Sequence, residues 1–280
     1  MEIKQIEISS TFGGVIAEAP FENVKPLFTD RITIDLSPGD DEEAIRGQYR
    51  TALLKDQQRA FDLLRNQLKA DLVEQQFQKI RFREKDGKKY PSVTSITDWS
   101  KDWHISDTDL QQYGARGTII HYLIPEFFKH ETWLTIEEVA ESGLSEEVII
   151  MTRGSLGLKI EDCSHEEFFA QYGKDFEIDE FEFEIFNEKH LYSGRADARG
   201  RYLGVPSIID FKTGSSWDMR QLAAYANGDG IEGIEQLVIC PVGPNSNKSG
   251  IKKPVVTQNI KGAFDNFLKD RSEFQKRFGI

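Results

Sequence analysis

The sequence predicts an α/β (α+β) chain: a mixed β-sheet flanked by helices over residues 81–280, behind an N-terminal β segment and long helical arm over residues 1–80. Three observations carry this expectation. The runs Phe176–Phe186 and Ser207–Gly214 show the two-residue period of a strand, and Leu191–Asp197 is read as the partner strand between them. Turn residues separate them, so they fold as an antiparallel meander. The run Glu235–Cys240 is a strong strand that follows one helix, and such a strand–helix–strand connection is right-handed with its two strands parallel.

From the start of the chain, Ile3–Ser9 and Arg31–Asp35 are β-like runs separated by Gly13-Gly14 and Pro20. Ser37-Pro-Gly-Asp-Asp-Glu-Glu43 is a turn followed by an acidic first helical turn, which suits the positive end of a helix. A proline-free stretch then runs to about Ile80, with Ile45, Tyr49, Leu53, Ala60, Leu64, Leu68 and Leu72 on one apolar face. That helix is a packing arm, or else its Arg46, Arg50, Lys55, Arg59, Arg65 and Lys69 line a nucleic-acid channel. Asp86-Gly87, between Lys79–Glu84 and Lys89–Thr94, signals a hairpin. Trp99 and Trp103 fall in a short helical piece, and Ala115–Phe128 is an apolar helix that Pro125 should kink. Residues 131–180 read as two or three short acidic helices, with Ser164-His-Glu-Glu167 as a capping box. Arg199-Gly200 and Gly204-Val-Pro206 turn the second meander strand back into the third. Ser216 or Asp218 caps the helix that carries Gln221 and Tyr225 and stops at Asn227-Gly228. Pro241–Gly250 is a loop, Pro254–Ile260 an edge strand, and Lys261–Phe278 a basic closing helix.

Composition narrows the classes of function. The 280 residues are 39% hydrophobic and 11% aromatic, enough to bury a core. The formal net charge of −12 speaks against a nucleic-acid partner, yet it is unevenly spread. Acids dominate from Glu131 to Glu188, whereas Arg46–Lys89 and Lys248–Arg277 carry a surplus of Lys and Arg. That pattern is compatible with phosphate binding and with solvated helix faces alike. Cys163 and Cys240 are the only cysteines and form no C-x-x-C pair. This excludes a cysteine zinc site and an iron–sulfur cluster, and suggests a reducing compartment. No apolar run reaches the roughly 18 residues that span a bilayer, and the start lacks a signal-peptide layout. The sequence reads as soluble and cytoplasmic, with no membrane partner.

The chemistry gathers around residues 193–214. Alternation puts Asp210 and Lys212 on one face of their strand and Ile209 and Phe211 in packing on the other. Asp197, ending Ser193-Gly-Arg-Ala-Asp197, meets them at one end of the hairpin, and two carboxylates beside a lysine suit a metal ion and a water. Glu182 and Glu184 share a face against Phe181, Phe183 and Ile185, as a solvated surface or as acids of the same site. Gln221 and Tyr225 stand one helical turn apart. Asp86-Gly-Lys88 has the same D-x-K spacing but lies in a turn and is set aside as a decoy. His121 alone on an apolar helix is, by itself, more readily a core residue than a ligand.

Six pieces, in order, resemble the PD-(D/E)XK nuclease superfamily in its RecB-like branch. They are Tyr90-Pro-Ser-Val-Thr94, Arg116-Gly-Thr-Ile-Ile-His121, Glu182, Gly194-Arg-Ala-Asp197, Ile209-Asp-Phe-Lys-Thr213 and Gln221-x-x-x-Tyr225. The set is most similar to the mitochondrial genome-maintenance exonuclease and to related phage and bacterial exonucleases; members with a cysteine cluster fit poorly. The resemblance implies a restriction-endonuclease-like core and a deoxyribonuclease acting on single-stranded DNA or DNA ends in replication, repair or recombination. It implies Mg²⁺ or Mn²⁺, one ion or two, held by His121, Glu182, Asp197, Asp210 and the backbone carbonyl of Phe211. Lys212 would hold or polarise the attacking water, and Gln221, Tyr225 and Arg116 would position the substrate strand or neighbouring side chains. A site-specific endonuclease, a DNA- or partner-binding module with a residual site, and a helical scaffold with merely solvated carboxylates remain as alternatives, and a replication or recombination protein partner is left open.

Overall fold

The computed structural model describes residues 4–13, 27–37, 39–101, 105–214, 217–244 and 251–280. Trp103, Ser216, Gly14, Pro20 and most of the expected 241–250 loop lie outside them. The chain divides into two compact units, Met1–Lys79 and Ile80–Ile280.

In the first unit, β1 (Lys4–Gly13) and β2 (Leu27–Leu36) form an antiparallel pair, and α1 (Glu42–Gln78) follows. Asp41 caps α1 by accepting from the Glu43 and Ala44 N–H groups at 3.0 and 3.1 Å. Leu53 of α1 meets Leu36 of β2, with Ile32, Ile34 and Ile45 against them. The expected apolar stripe is only partly covered: Leu53 is buried, Ala60, Leu64, Leu68 and Leu72 are half-buried, and Tyr49 is exposed. Arg46 is taken up by Glu42 and the Glu7 carbonyl, and Arg59 by Asp56.

The second unit opens with a hairpin, β3 (Phe82–Lys85) and β4 (Lys88–Pro91). Its two turn residues, Asp86 and Gly87, have φ of 52° and 73°, the positive values a two-residue hairpin of right-handed twist requires. The strand expected to reach Thr94 stops at Pro91, because the Ser92 hydroxyl accepts from Ser95 N–H and caps α2 (Val93–Asp98). The next helix, α3 (Asp107–His130), continues through Pro125 and ends at Glu131 in the left-handed region. Short helices α4 (Ile136–Val139), α5 (Ser145–Arg153) and α6 (His165–Tyr172) follow. The capping box belongs to α4, where Thr135 and Glu138 satisfy each other's N–H. Ser164 makes none: its hydroxyl donates to the Gly243 carbonyl at 2.9 Å instead.

The centre is a five-stranded mixed sheet in the order β5 (Phe176–Asn187), β6 (Tyr192–Tyr202), β7 (Val205–Lys212), β8 (Gln236–Pro241), β9 (Val255–Thr257). β7 and β8 are parallel and every other neighbouring pair is antiparallel. Arg199-Gly200 makes no turn; β6 runs straight through it, and the hairpin turns at Leu203-Gly204, both with positive φ. α7 (Met219–Ala226), capped by Asp218, makes the crossover from β7 to β8, and α8 (Ile260–Phe278) closes the unit. One face of the sheet is covered by the core of α3, α5 and α6, which holds Ile209, Phe211, Val238 and Cys240. The other is covered by α2, α7 and α8 over Ile208, Leu237 and Ile239. The parallel strands, buried on both faces, are accordingly apolar over Ile208-Ile209 and Leu237–Cys240, and the buried Asp210 stands out against them. Among the described residues no helix is long and apolar enough to cross a membrane.

One irregularity positions the site. Phe181 and Phe183 are two residues apart and should share a face, yet Phe181 packs with the α3 core and Phe183 with the α7 core. Their partners across the ladder, Ala198 and Ala196, split the same way. The strand pair therefore turns over between them, at Glu182 and Asp197. Glu182 has φ of 54°, a left-handed conformation that breaks the alternation. The expected common face for Phe181, Phe183 and Ile185 is corrected by this turnover.

Candidate active site

The β6–β7 ladder ends at Ala198–Ile209, just where the strands turn over. Beyond it, side chains replace backbone partners. The Phe211 N–H donates to Asp197 Oδ2 at 2.8 Å, and the Phe211 carbonyl lies 2.8 Å from His121 Nε2 on α3. A carbonyl only accepts, so Nε2 carries the hydrogen and Nδ1 faces the carboxylates. Nδ1 is 3.5 Å from Asp197 Oδ1 and 3.7 Å from Glu182 Oε1. The backbone opening thus serves two ends: it satisfies Phe211 and gathers an imidazole and two carboxylates.

Asp210 and Lys212 adjoin this cluster. Asp210 is buried, and the Lys212 ammonium donates to its Oδ1 at 3.1 Å and stands 2.9 Å from Oδ2. Gln221 Oε1 accepts from the same ammonium at 3.3 Å, while Gln221 Nε2 donates to the Tyr225 hydroxyl at 2.7 Å. Tyr225 is 3% exposed and its ring lies over Gly194, where a β-carbon would come within 2.4 Å of it. Arg116, 5% exposed, donates to the Thr213 carbonyl at 2.8 Å. Arg116 thus engages the end of β7 and Tyr225 engages Gln221.

The charges act on one another strongly. Burial opposes charge on His121, but the Asp197 carboxylate, the Glu182 hydrogen bond and Asp210 raise its pKa to about 9. Burial, aided by Asp210, pushes Asp197 above the ordinary carboxylate range against the pull of His121 and Lys212. Glu182 is held below that range: burial works the other way, but His121 and Arg195 outweigh it. Lys212 is raised above the usual lysine value, since Asp210 and Asp197 overcome its burial, so it is an ammonium at neutral pH.

One observation fits a divalent cation here: ligand atoms of His121, Glu182 and Asp197 lie within 4.8 Å of one another, one nitrogen and carboxylate oxygens as a hard cation prefers. Of the five expected ligands, the structure brings these three together. Asp210 is turned to Lys212 and the Phe211 carbonyl is engaged by His121, which is the outer hydrogen bond that orients a ligating imidazole.

Sequence reasoning assigned no role to Arg195, whose Nε lies 2.7 Å from Glu182 Oε2. It was visible inside Gly194-Arg-Ala-Asp197, but which of Glu182 and Glu184 it serves depends on strand register. The sequence matches no family model and no curated protein.

Proposed function

We propose that residues 80–280 form a metal-dependent deoxyribonuclease with a PD-(D/E)XK-type core, an exonuclease acting on single-stranded DNA or DNA ends in replication, repair or recombination. The observation that carries the reading is the meeting of His121, Glu182 and Asp197 beside the Asp210–Lys212 pair, at the point where β6 leaves β7. Mg²⁺ or Mn²⁺ held by these carboxylates and His121 would supply Lewis-acid polarisation of the phosphodiester and a lowered pKa for the attacking water.

The chain's own groups do the rest. Lys212, as an ammonium, is a donor and not a base: it orients the water and stabilises negative charge building on the phosphate oxygens. Asp210 and Gln221 hold that ammonium from two sides. His121 is fixed by Phe211 so that Nδ1 points at the carboxylates. Water adds to phosphorus in line and gives up one proton to solvent, the phosphorus–oxygen ester bond breaks, and the departing oxygen takes one proton back from solvent, so that the net reaction consumes one water.

The test is end-labelled single-stranded DNA with Mg²⁺, comparing the parent with Lys212→Ala and Asp210→Asn. Cleavage by the parent, with a loss of about 100-fold or more in each variant, is the expected result. Parental rates in either variant contradict the assignment. Stepwise short products mark an exonuclease, and discrete internal fragments an endonuclease.

A further inference from the structure

The β5–β6 ladder sets Arg195 directly opposite Glu184, the position from which a cross-strand ion pair forms most simply. That pair is not made. Arg83, from β3, takes Glu184 at 2.6 Å. Arg195 leans two residues along β5 and places Nε 2.7 Å from Glu182 Oε2, while Glu182 Oε1 faces His121. The left-handed turnover at Glu182 is what brings its carboxylate within reach of both.

The rest of the guanidinium is uncommitted. The Arg195 side chain is 56% exposed, and its terminal nitrogens donate no hydrogen bond to a described residue. A half-exposed ion pair of this kind contributes little to stability. It does hold one edge of a planar, five-donor group beside the candidate metal cluster. The remaining N–H groups form the fork that matches two oxygens of a phosphate.

We propose that Arg195 is a phosphate-binding subsite, taking a phosphodiester of a single-stranded nucleic acid next to the cluster, with Glu182 as the hinge that aims it. This rests on the nuclease reading and names how the substrate's backbone is held. On the same strand, Arg199 is paired at 2.8 Å with Glu180, which is not one of the cluster's residues, and serves as the control.

The experiment measures binding of a fluorescent oligothymidylate by anisotropy, with Ca²⁺ in place of Mg²⁺, as a function of salt. Arg195→Ala is expected to weaken binding about tenfold and to make the slope of log affinity against log salt shallower by about 0.7, one phosphate contact on a single strand. Arg195→Lys keeps the charge, so the slope stays while part of the affinity is lost. Arg199→Ala is expected to change neither by as much. The proposal is overturned if Arg195→Ala binds like the parent, if Arg199→Ala matches its loss, or if the parent does not bind. DNA cleavage by the parent in Mg²⁺ then separates the outcomes: with cleavage intact only the subsite falls, and without it the nuclease reading falls too.

Discussion

Gln221 joins two groups that would otherwise be independent, the Lys212 ammonium and the buried Tyr225 hydroxyl. Removing it leaves Lys212 held by Asp210 alone, and a buried hydroxyl loses its donor, at about 1–2 kcal/mol. On the nuclease reading proposed above, Gln221 would act through Lys212, so Gln221→Ala is expected to lower kcat roughly tenfold or more with KM for DNA little changed. A raised KM at parental kcat would mean that Gln221 touches the strand instead. The same residue shows what a sequence discloses at this scale. Spacing put Gln221 and Tyr225 on one helix face, and side-by-side hydrogen bonding follows from that. Spacing could not say that Tyr225 is buried and faces Gly194, because that depends on how α7 lies on β6.

At the scale of elements, the close approach of α7 to β6 is a firm constraint. A β-carbon at Gly194 would stand 2.4 Å from Tyr225 Cε1, and the ring is buried with its hydroxyl committed to Gln221. Gly194→Ala must therefore push helix and strand apart, a strain of about 1–3 kcal/mol, lowering Tm by several degrees. Combining it with Tyr225→Leu is expected to recover part of that loss; strictly additive Tm shifts would show that the ring is not the obstacle. The strands around this contact were legible, because the two-residue period in Phe176–Phe186 and Ser207–Gly214 matches a pleated strand and not the 3.6-residue turn of a helix. The turnover at Glu182 and Asp197 was not. A glutamate at φ of 54° carries no signature of its own, and only the sorting of Phe181 and Phe183 into different cores reveals it. The capping box failed for a related reason. Ser164 and Glu167 have the right spacing, but a carbonyl brought from Gly243 captured the hydroxyl, a long-range contact that outcompeted the local one. Register and long-range competition are tertiary facts, so Arg195's choice of Glu182 over Glu184 was hidden in the same way.

For the molecule as a whole, acid sensitivity is expected to have a source outside the candidate metal cluster. His165, which opens α6, is 2% exposed, lies edge-on to Trp133 at 4.8 Å, and has no partner for Nδ1. Burial lowers its pKa from 6.5 to about 4, against an opposing pull from Glu167. The sign follows directly. Between pH 6.5 and 4 the unfolded chain binds a proton that the folded one refuses, so stability is complete above the unfolded value and is lost as pH falls toward 4. The shift corresponds to about 3 kcal/mol over that window. His165→Phe removes the titration while keeping a ring against Trp133. Chemical denaturation of parent and variant at pH 7.5, 6, 5 and 4 should show the parent losing stability relative to the variant by about that amount, nearly all of it below pH 6.5. A gap between the two that stays constant with pH would mean that His165 takes up its proton as freely in the folded chain as in the unfolded one, and that its pocket is open to water.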